Sequence, residues 1–335
     1  MPQNNRQSEG TTSAQGDQTL IRTTGQYGLD RLSAIAARPL MGLGLLSALL
    51  LGVTSSSAQT STDAAVAAGE NFLWQIETPT NTVYLLGSVH FLSADQYPLP
   101  AVMEAAFDEA EVLVLEADIS AAASADAATV MIDAALPEPG ESLAEVLTPD
   151  TYELAQQQVA ELGLPFGLFE GFEPWFLAVS LTSFQLIDIG FEPEYGIDQY
   201  FHGRATDADK PVLFLETVEQ QFNLFEQLSI DEQRQFTEQA LAEMDLLEES
   251  FNEILTAWST GDIAGLEATL FAGFADYPEM QAIFLSDRNR DWATQIQPFL
   301  QADDDYLIVV GALHLVGPDN VLELLAQQGY QAEQL

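Results

Sequence analysis

The sequence predicts an α/β protein: a mixed central sheet with flanking helices and a large helical middle segment, forming a single domain after an N-terminal signal. Three observations lead there. Short apolar runs ending in Gly, His or an acid lie at 82–90, 111–118, 210–216 and 306–314. From Ile119 to about Asn289 the chain otherwise reads as helix. Hydrophobic residues make up 47 % of the 335 residues, enough for a core despite 52 acidic against 9 basic side chains.

Taken in chain order, residues 1–30 are rich in Gln, Ser, Thr, Gly and Asn without apolar period, which predicts a disordered extension. Residues 31–58 read as a signal peptide. Arg31 and Arg38 precede an apolar run from Leu40 to Val53, and Ser56 and Ala58 supply the small residues of a cleavage site. The run is 14 residues long, short of the ~20 that span a bilayer. Cleavage after Ala58 is the expectation and an uncleaved anchor the alternative, so the protein is expected to be exported, periplasmic or extracellular. Beyond that point 5 basic and 49 acidic residues remain, and Lys210 is the single lysine. Such a surface repels nucleic acid and anionic membranes, and its self-repulsion suggests a saline, halophilic setting. The absence of cysteine excludes disulfides, thiolate metal sites and cysteine nucleophiles.

The domain proper is expected over 70–335. FLWQIE and TVYLLGSVH flank a Pro- and Asn-containing turn and read as a hairpin. LPAVMEAAFDEA, from Leu99 to Ala110, has helical spacing, and EVLVLEAD is a buried strand ending in acid. A helical insertion at about 119–289 follows, with Thr148 a candidate cap and one interrupting strand, KPVLFLE. A helix from Arg288 and a buried strand, YLIVVG, come next, followed by a helix opening near Pro318 and a tail, YQAEQL, that suits a last short strand.

Two of the three histidines, His90 and His314, occupy one local setting, Gly-x-x-His at the end of an apolar strand, in GSVH from Gly87 and GALH from Gly311. The crevice beyond the carboxyl ends of parallel strands is where ligands sit in such sheets, so residues 224 positions apart can converge there. Glu116 and Glu216 stand at comparable strand ends. Imidazole plus carboxylate at an open crevice is the ligand chemistry of a catalytic divalent ion, which makes hydroxide available near neutral pH. Taken singly, each histidine is better explained as a satisfied turn or core residue than as a ligand; the repeat of one setting is what brings the two readings level.

GSVHFLSADQYPLP, LEAD, EYGIDQYF, KPVLFLETVEQQFNLF, DRNRDWA and GALHLVGPDNVLELLAQQGY together resemble the TraB/GumN family. This family is related to the Tiki proteases within a wider erythromycin-esterase-like and ChaN-like superfamily. The resemblance runs from about Phe72 to the C-terminus. It implies one metal-dependent hydrolytic site, with peptide-bond cleavage assisted by manganese, cobalt or zinc. On these motifs His90, His314, Glu116 and Glu216 are candidate metal ligands, and Glu116 and Arg288 candidate catalytic groups. Gly87, Gly311, Asp198 and Asn289 are candidate supporting residues.

Each role has a plainer competitor. Arg288 suits an oxyanion clamp or a structural ion pair, Glu216 a ligand or a helix N-terminal acid, and Asp198 a cap or an orienting partner of a ligand histidine. His202 is expected to be non-ligating. Tyr97, Pro98 and Pro100 are expected to form a rigid loop near His90. The aromatic segment Phe166–Phe184 reads as core first and as a peptide groove second. The function that follows is an exported metal-dependent hydrolase acting on a peptide or small-molecule substrate. The alternatives are a non-catalytic envelope protein that sequesters a peptide or small ligand, or one that handles haem.

Overall fold

The structure, a computed structural model, describes residues 71–335 except 123, 139–140, 272 and 275–276. The extension and signal segment expected at 1–58 lie outside the described residues. Within them, no helix is long and apolar enough to cross a membrane.

A six-stranded mixed sheet organises the chain: β1 (Leu73–Glu77), β2 (Thr82–Ser88), β3 (Val112–Leu115), β4 (Val212–Phe214), β5 (Tyr306–Gly311) and β6 (Glu333–Gln334), in the order β4-β3-β5-β2-β1-β6. β1 and β2 form the expected hairpin, and the C-terminal tail returns as β6 against β1, both pairs antiparallel. β2, β5, β3 and β4 run parallel. β2, β3 and β5 are buried almost throughout, which is why they read as continuous apolar runs rather than alternating ones. β4 is an edge, and Leu213 and Phe214 are exposed on it.

The α-helices longer than four residues are α1 (Ala101–Glu109), α2 (Ala125–Ala134), α3 (Pro149–Glu161), α4 (Pro174–Asp188), α5 (Ile197–Asp207), α6 (Val218–Glu226), α7 (Ile230–Glu243), α8 (Leu247–Ser259), α9 (Ile263–Phe271), α10 (Asp287–Ile296) and α11 (Val321–Gln327). Their starts are chemically marked. Thr148 caps α3 with Pro149 in its first turn, and reciprocal capping boxes open α6 (Thr217 with Gln220) and α7 (Ser229 with Glu232). α11 opens at Val321 behind the cap Asn320, three residues past the expected start at Pro318, because the Asn320 side chain accepts from Glu323 N–H. α10 is not an isolated helix from Arg288: it continues a helical stretch from Pro278 through a π-helical turn at Ala282–Ser286.

The aromatic segment is core. Along α4, Trp175 is fully buried and stacks on Phe225 at 4.2 Å. Lys210, the lone lysine, donates to the Phe107 and Ala110 carbonyls at the end of α1 and lies 4.0 Å from the Phe107 ring centre, so it closes a helix rather than facing solvent.

A candidate active site at the carboxyl ends of the parallel strands

The four adjacent parallel strands deliver their last residues to one place. β2 and β5 pair with Gly87 opposite Val310 and Ser88 opposite Gly311, so the two Gly-x-x-His motifs lie side by side, one residue out of step. Glu116 follows β3 and Glu216 follows β4. Glu116 turns back over β5, its Oε1 accepting from Gly311 N–H at 2.6 Å.

Arg288 lies at the centre. The π-helical turn before it brings its side chain in over the strand ends, where Nη1 donates to Phe284 O at 3.0 Å. Its Nη2 donates to Glu116 Oε2 at 3.0 Å and Glu216 Oε1 at 2.5 Å, and its Nε to Glu216 Oε2 at 3.2 Å. Nη1 also donates to His314 Nε2 at 3.1 Å. The guanidinium lies against Trp292, 4.6 Å from the ring centre. Of its two expected roles, Arg288 fills the ion pair, clamping two carboxylates that approach from different strands.

Each histidine is oriented through Nδ1. His90 Nδ1 donates to Asp198 Oδ2 at 2.5 Å, and His314 Nδ1 to Asn289 Oδ1 at 2.5 Å, with Asn289 Nδ2 anchored on Asp319 O at 3.0 Å. This leaves both Nε2 atoms to the interior. Asp198 lies in the first turn of α5, where the helix dipole favours a carboxylate.

Gly311 marks the meeting point. A Cβ there would lie 3.3 Å from Glu116 Oε1, 3.4 Å from His90 Nε2 and 3.5 Å from His314 Cδ2. The missing side chain thus leaves a cradle bounded by both imidazoles and a carboxylate. Gly87 does not line it: a Cβ at Gly87 would meet the Phe72 ring at 2.4 Å, so this glycine admits strand packing.

Burial sets the charges. It opposes protonation of His90, yet the Asp198 carboxylate outweighs it and the imidazole is held above its ordinary range. His314 has no acid on Nδ1; burial, then Arg288 and His90, push it well below that range, so it stays neutral with Nε2 an acceptor. Burial pushes the Glu116 carboxyl up, against the pull of Arg288 and His90. Burial also opposes the Arg288 charge, but Glu216 and Glu116 more than restore it. His90 and Asp198 are the most exposed members of the network, with side chains 12 % and 11 % exposed, against 8 % for Glu216 and Arg288, 3 % for His314 and 2 % for Glu116.

Among the described residues, no three His, Asp or Glu side chains stand close enough as packed to hold an ion. The donor set nevertheless suits a divalent ion: two Nε2 atoms, each with an oxygen acceptor behind its Nδ1, and a carboxylate beside them. The contact an ion would have to replace is that of Arg288 with His314 Nε2.

Every sequence-predicted site residue except Gly87 therefore joins this network. His202 stays outside it, exchanging a 3.3 Å contact with Ser120 on an exposed face. In the Tyr97 loop, Tyr97 donates to the Tyr195 carbonyl at 2.6 Å, just before α5. Sequence reasoning missed Gln221 of α6, which donates to Glu216 Oε1 at 2.9 Å and Glu116 Oε2 at 3.4 Å, and Trp292, whose ring lies 4.3 Å from that of His314. Gln221 lies five residues beyond Glu216, so a second polar residue one turn on was the available signal. Nothing in the spacing marked Trp292.

Such an arrangement defines a class: an α/β protein with a buried histidine, glutamate and arginine centre beyond the carboxyl ends of parallel strands. The chain belongs to the TraB/PrgY/gumN family, whose sequence profile matches residues 72–334. It is similar to a protein of Escherichia coli (strain K12) described as uncharacterized protein YbaP, with 26 % identity over 261 residues that cover 77 % of this chain and 94 % of that one. The YbaP of Shigella flexneri matches to the same extent. No solved structure matches significantly.

Proposed function

We propose that the protein is an exported metal-dependent hydrolase, with a peptide or small molecule as substrate and manganese, cobalt or zinc as the ion. The observation that carries this reading is the convergence of His90 Nε2, His314 and Glu116 on the open face of Gly311. Glu116 and Glu216 share the Arg288 guanidinium, while Asp198 is paired with His90, so the candidate ligands are held in place from behind.

His90, His314 and Glu116 would hold the ion, with Glu216 beside them. When bound, a divalent ion lowers the pKa of water and polarises a substrate carbonyl. Asp198 and Asn289 keep both imidazoles turned with Nε2 inward. Glu116, its carboxyl raised by burial, would be the group suited to act as general base. Arg288 supplies positive charge beside the carboxylates, and the Nη1–H that the ion would displace from His314 Nε2 is the donor it could offer a substrate oxyanion. Substrate enters on the His90 side, the partly exposed flank of the centre.

The test uses the protein purified in high salt. Divalent ion content and peptide hydrolysis are measured before and after chelation, and again in His90→Ala and His314→Ala. The expected result is stoichiometric ion, activity removed by chelator and restored by manganese, cobalt or zinc, and loss of both in the variants. A wild-type protein that takes up no divalent ion at any salt concentration overturns the proposal.

A further inference from the structure

We propose that Gly196 and Trp258, both contributed by the helical insertion, are positioning residues that fix His90. The inference rests on His90 being a working residue of the site, and not on the identity of any ion.

After Ser88 the chain leaves the sheet, and among the described residues His90 stands on a segment with no strand neighbour until Leu92 bridges to Glu192. Its orientation comes from elsewhere. The Trp258 indole N–H, from α8 and 171 positions away, donates to Gly87 O at 2.7 Å within the buried interior. Ile197 N–H donates to Val89 O at 3.1 Å. Leu92 and Glu192 exchange backbone bonds at 3.3 and 2.8 Å. Gly196 lies directly against the His90 peptide: a Cβ there would fall 2.3 Å from His90 O and 2.8 Å from His90 C. These atoms are backbone and cannot swing aside, so only glycine permits this approach.

The consequence is geometric. Gly196 is the residue before α5, and Asp198 is in the first turn of that helix. The close approach at Gly196 therefore sets how near the Asp198 carboxylate comes to His90 Nδ1. Trp258 fixes the other end of the segment at the last turn of β2. A buried indole N–H needs an acceptor, and the Gly87 carbonyl supplies it. Between these two anchors, the direction of His90 Nε2 into the Gly311 cradle follows from the backbone of the insertion.

The chain has three histidines, so its ring-nitrogen spectrum is simple enough to test this directly. The full-length protein labelled with 15N at histidine is compared with Gly196→Ala and Trp258→Phe by NMR, with far-UV and near-UV circular dichroism as the check of fold. Trp258→Phe keeps an aromatic ring in place while removing the N–H with part of the indole, so it serves if Gly196→Ala does not fold. The expected result is loss or a clear shift of the His90 Nδ1–H signal, with the His314 and His202 signals unchanged. Zinc and manganese affinity, titrated separately, should fall by about 10- to 100-fold, as for loss of an orienting partner behind a metal-bound histidine. A folded Trp258→Phe or Gly196→Ala with an unchanged His90 signal overturns the proposal. So does an equal change at all three histidines, which marks a general structural role. If the wild type binds neither ion, the hydrolase reading fails, while the His90 signal still decides this one.

Discussion

Replacing Arg288 by Met removes the guanidinium that Glu116 and Glu216 share and preserves most of the side-chain volume. In the wild type its five N–H groups face two carboxylates, His314 and a backbone carbonyl, with the side chain 8 % exposed. Removing one member of a buried ion pair costs about 3–5 kcal/mol, chiefly through the charge left behind. With an unfolding entropy of about 2.1 cal/mol/K per residue over the roughly 265 residues of 71–335, that is a drop in Tm of about 5–9 °C. The assay is calorimetry at pH 7.5 in chelator and constant high salt, so that neither ion occupancy nor screening of the acidic surface differs between variants. The double variant Arg288→Met, Glu216→Gln should recover part of the loss, because one of the two stranded carboxylates is then neutral. A drop below about 2 °C, or no recovery in the double variant, refutes the reasoning, since either result means the carboxylates are neutralised without Arg288.

Three further outcomes are expected. Gly311→Ala places a methyl 3.3–3.5 Å from Glu116, His90 and His314 without striking backbone; it should fold with a Tm near wild type yet lose divalent-ion affinity by at least about tenfold in calorimetric titration. Lys210→Met removes the ammonium that donates to the carbonyls ending α1 and lies over the Phe107 ring, and should cost about 1–2 kcal/mol in denaturant unfolding. Glu243 is raised to about 7, mainly by burial, and its Oε2 has no hydrogen-bond partner among the described residues. The folded state therefore holds this proton longer than the unfolded chain, so the associated stability is full below about pH 4.5 and lost as pH rises through 7. Since the group is only half-buried, Glu243→Gln should gain about 1 kcal/mol at pH 8 and nothing at pH 4, read from paired urea melts.

How far the sequence carries the site depends on which forces place each residue. His90, His314, Glu116 and Glu216 were legible because each closes a short apolar run, and parallel strands that cross over in one sheet must end on the same side. The hairpin, the Thr148 cap and the returning tail were legible for a related reason: local turn and cap chemistry or a short run of alternating residues suffices. Arg288 could be singled out by its rarity in so acidic a chain, but not assigned between an oxyanion clamp and an ion pair. That choice depends on a π-helical turn at Ala282–Ser286, which shifts the helix face by a fraction of a turn and has no spacing signature of its own.

Trp258 and Gly196 were out of reach for a different reason. Their significance lies in what a helix docked from the middle of the chain meets on a strand end 171 or about 106 positions earlier. An indole in an amphipathic helix reads as core, and a glycine before a helix reads as a cap, and both descriptions are true locally. The insertion then does more than cover the sheet. It supplies Asp198 behind one histidine, the carboxylate clamp of Arg288 is completed by Gln221, and Trp258, Ile197 and Glu192 hydrogen-bond the segment bearing His90. A variant that loosens the packing of α8 on the strand ends without touching any ionisable group should therefore disturb His90 before His314, because His314 is held by Asn289 and Trp292 of α10, adjacent in the chain to its own strand.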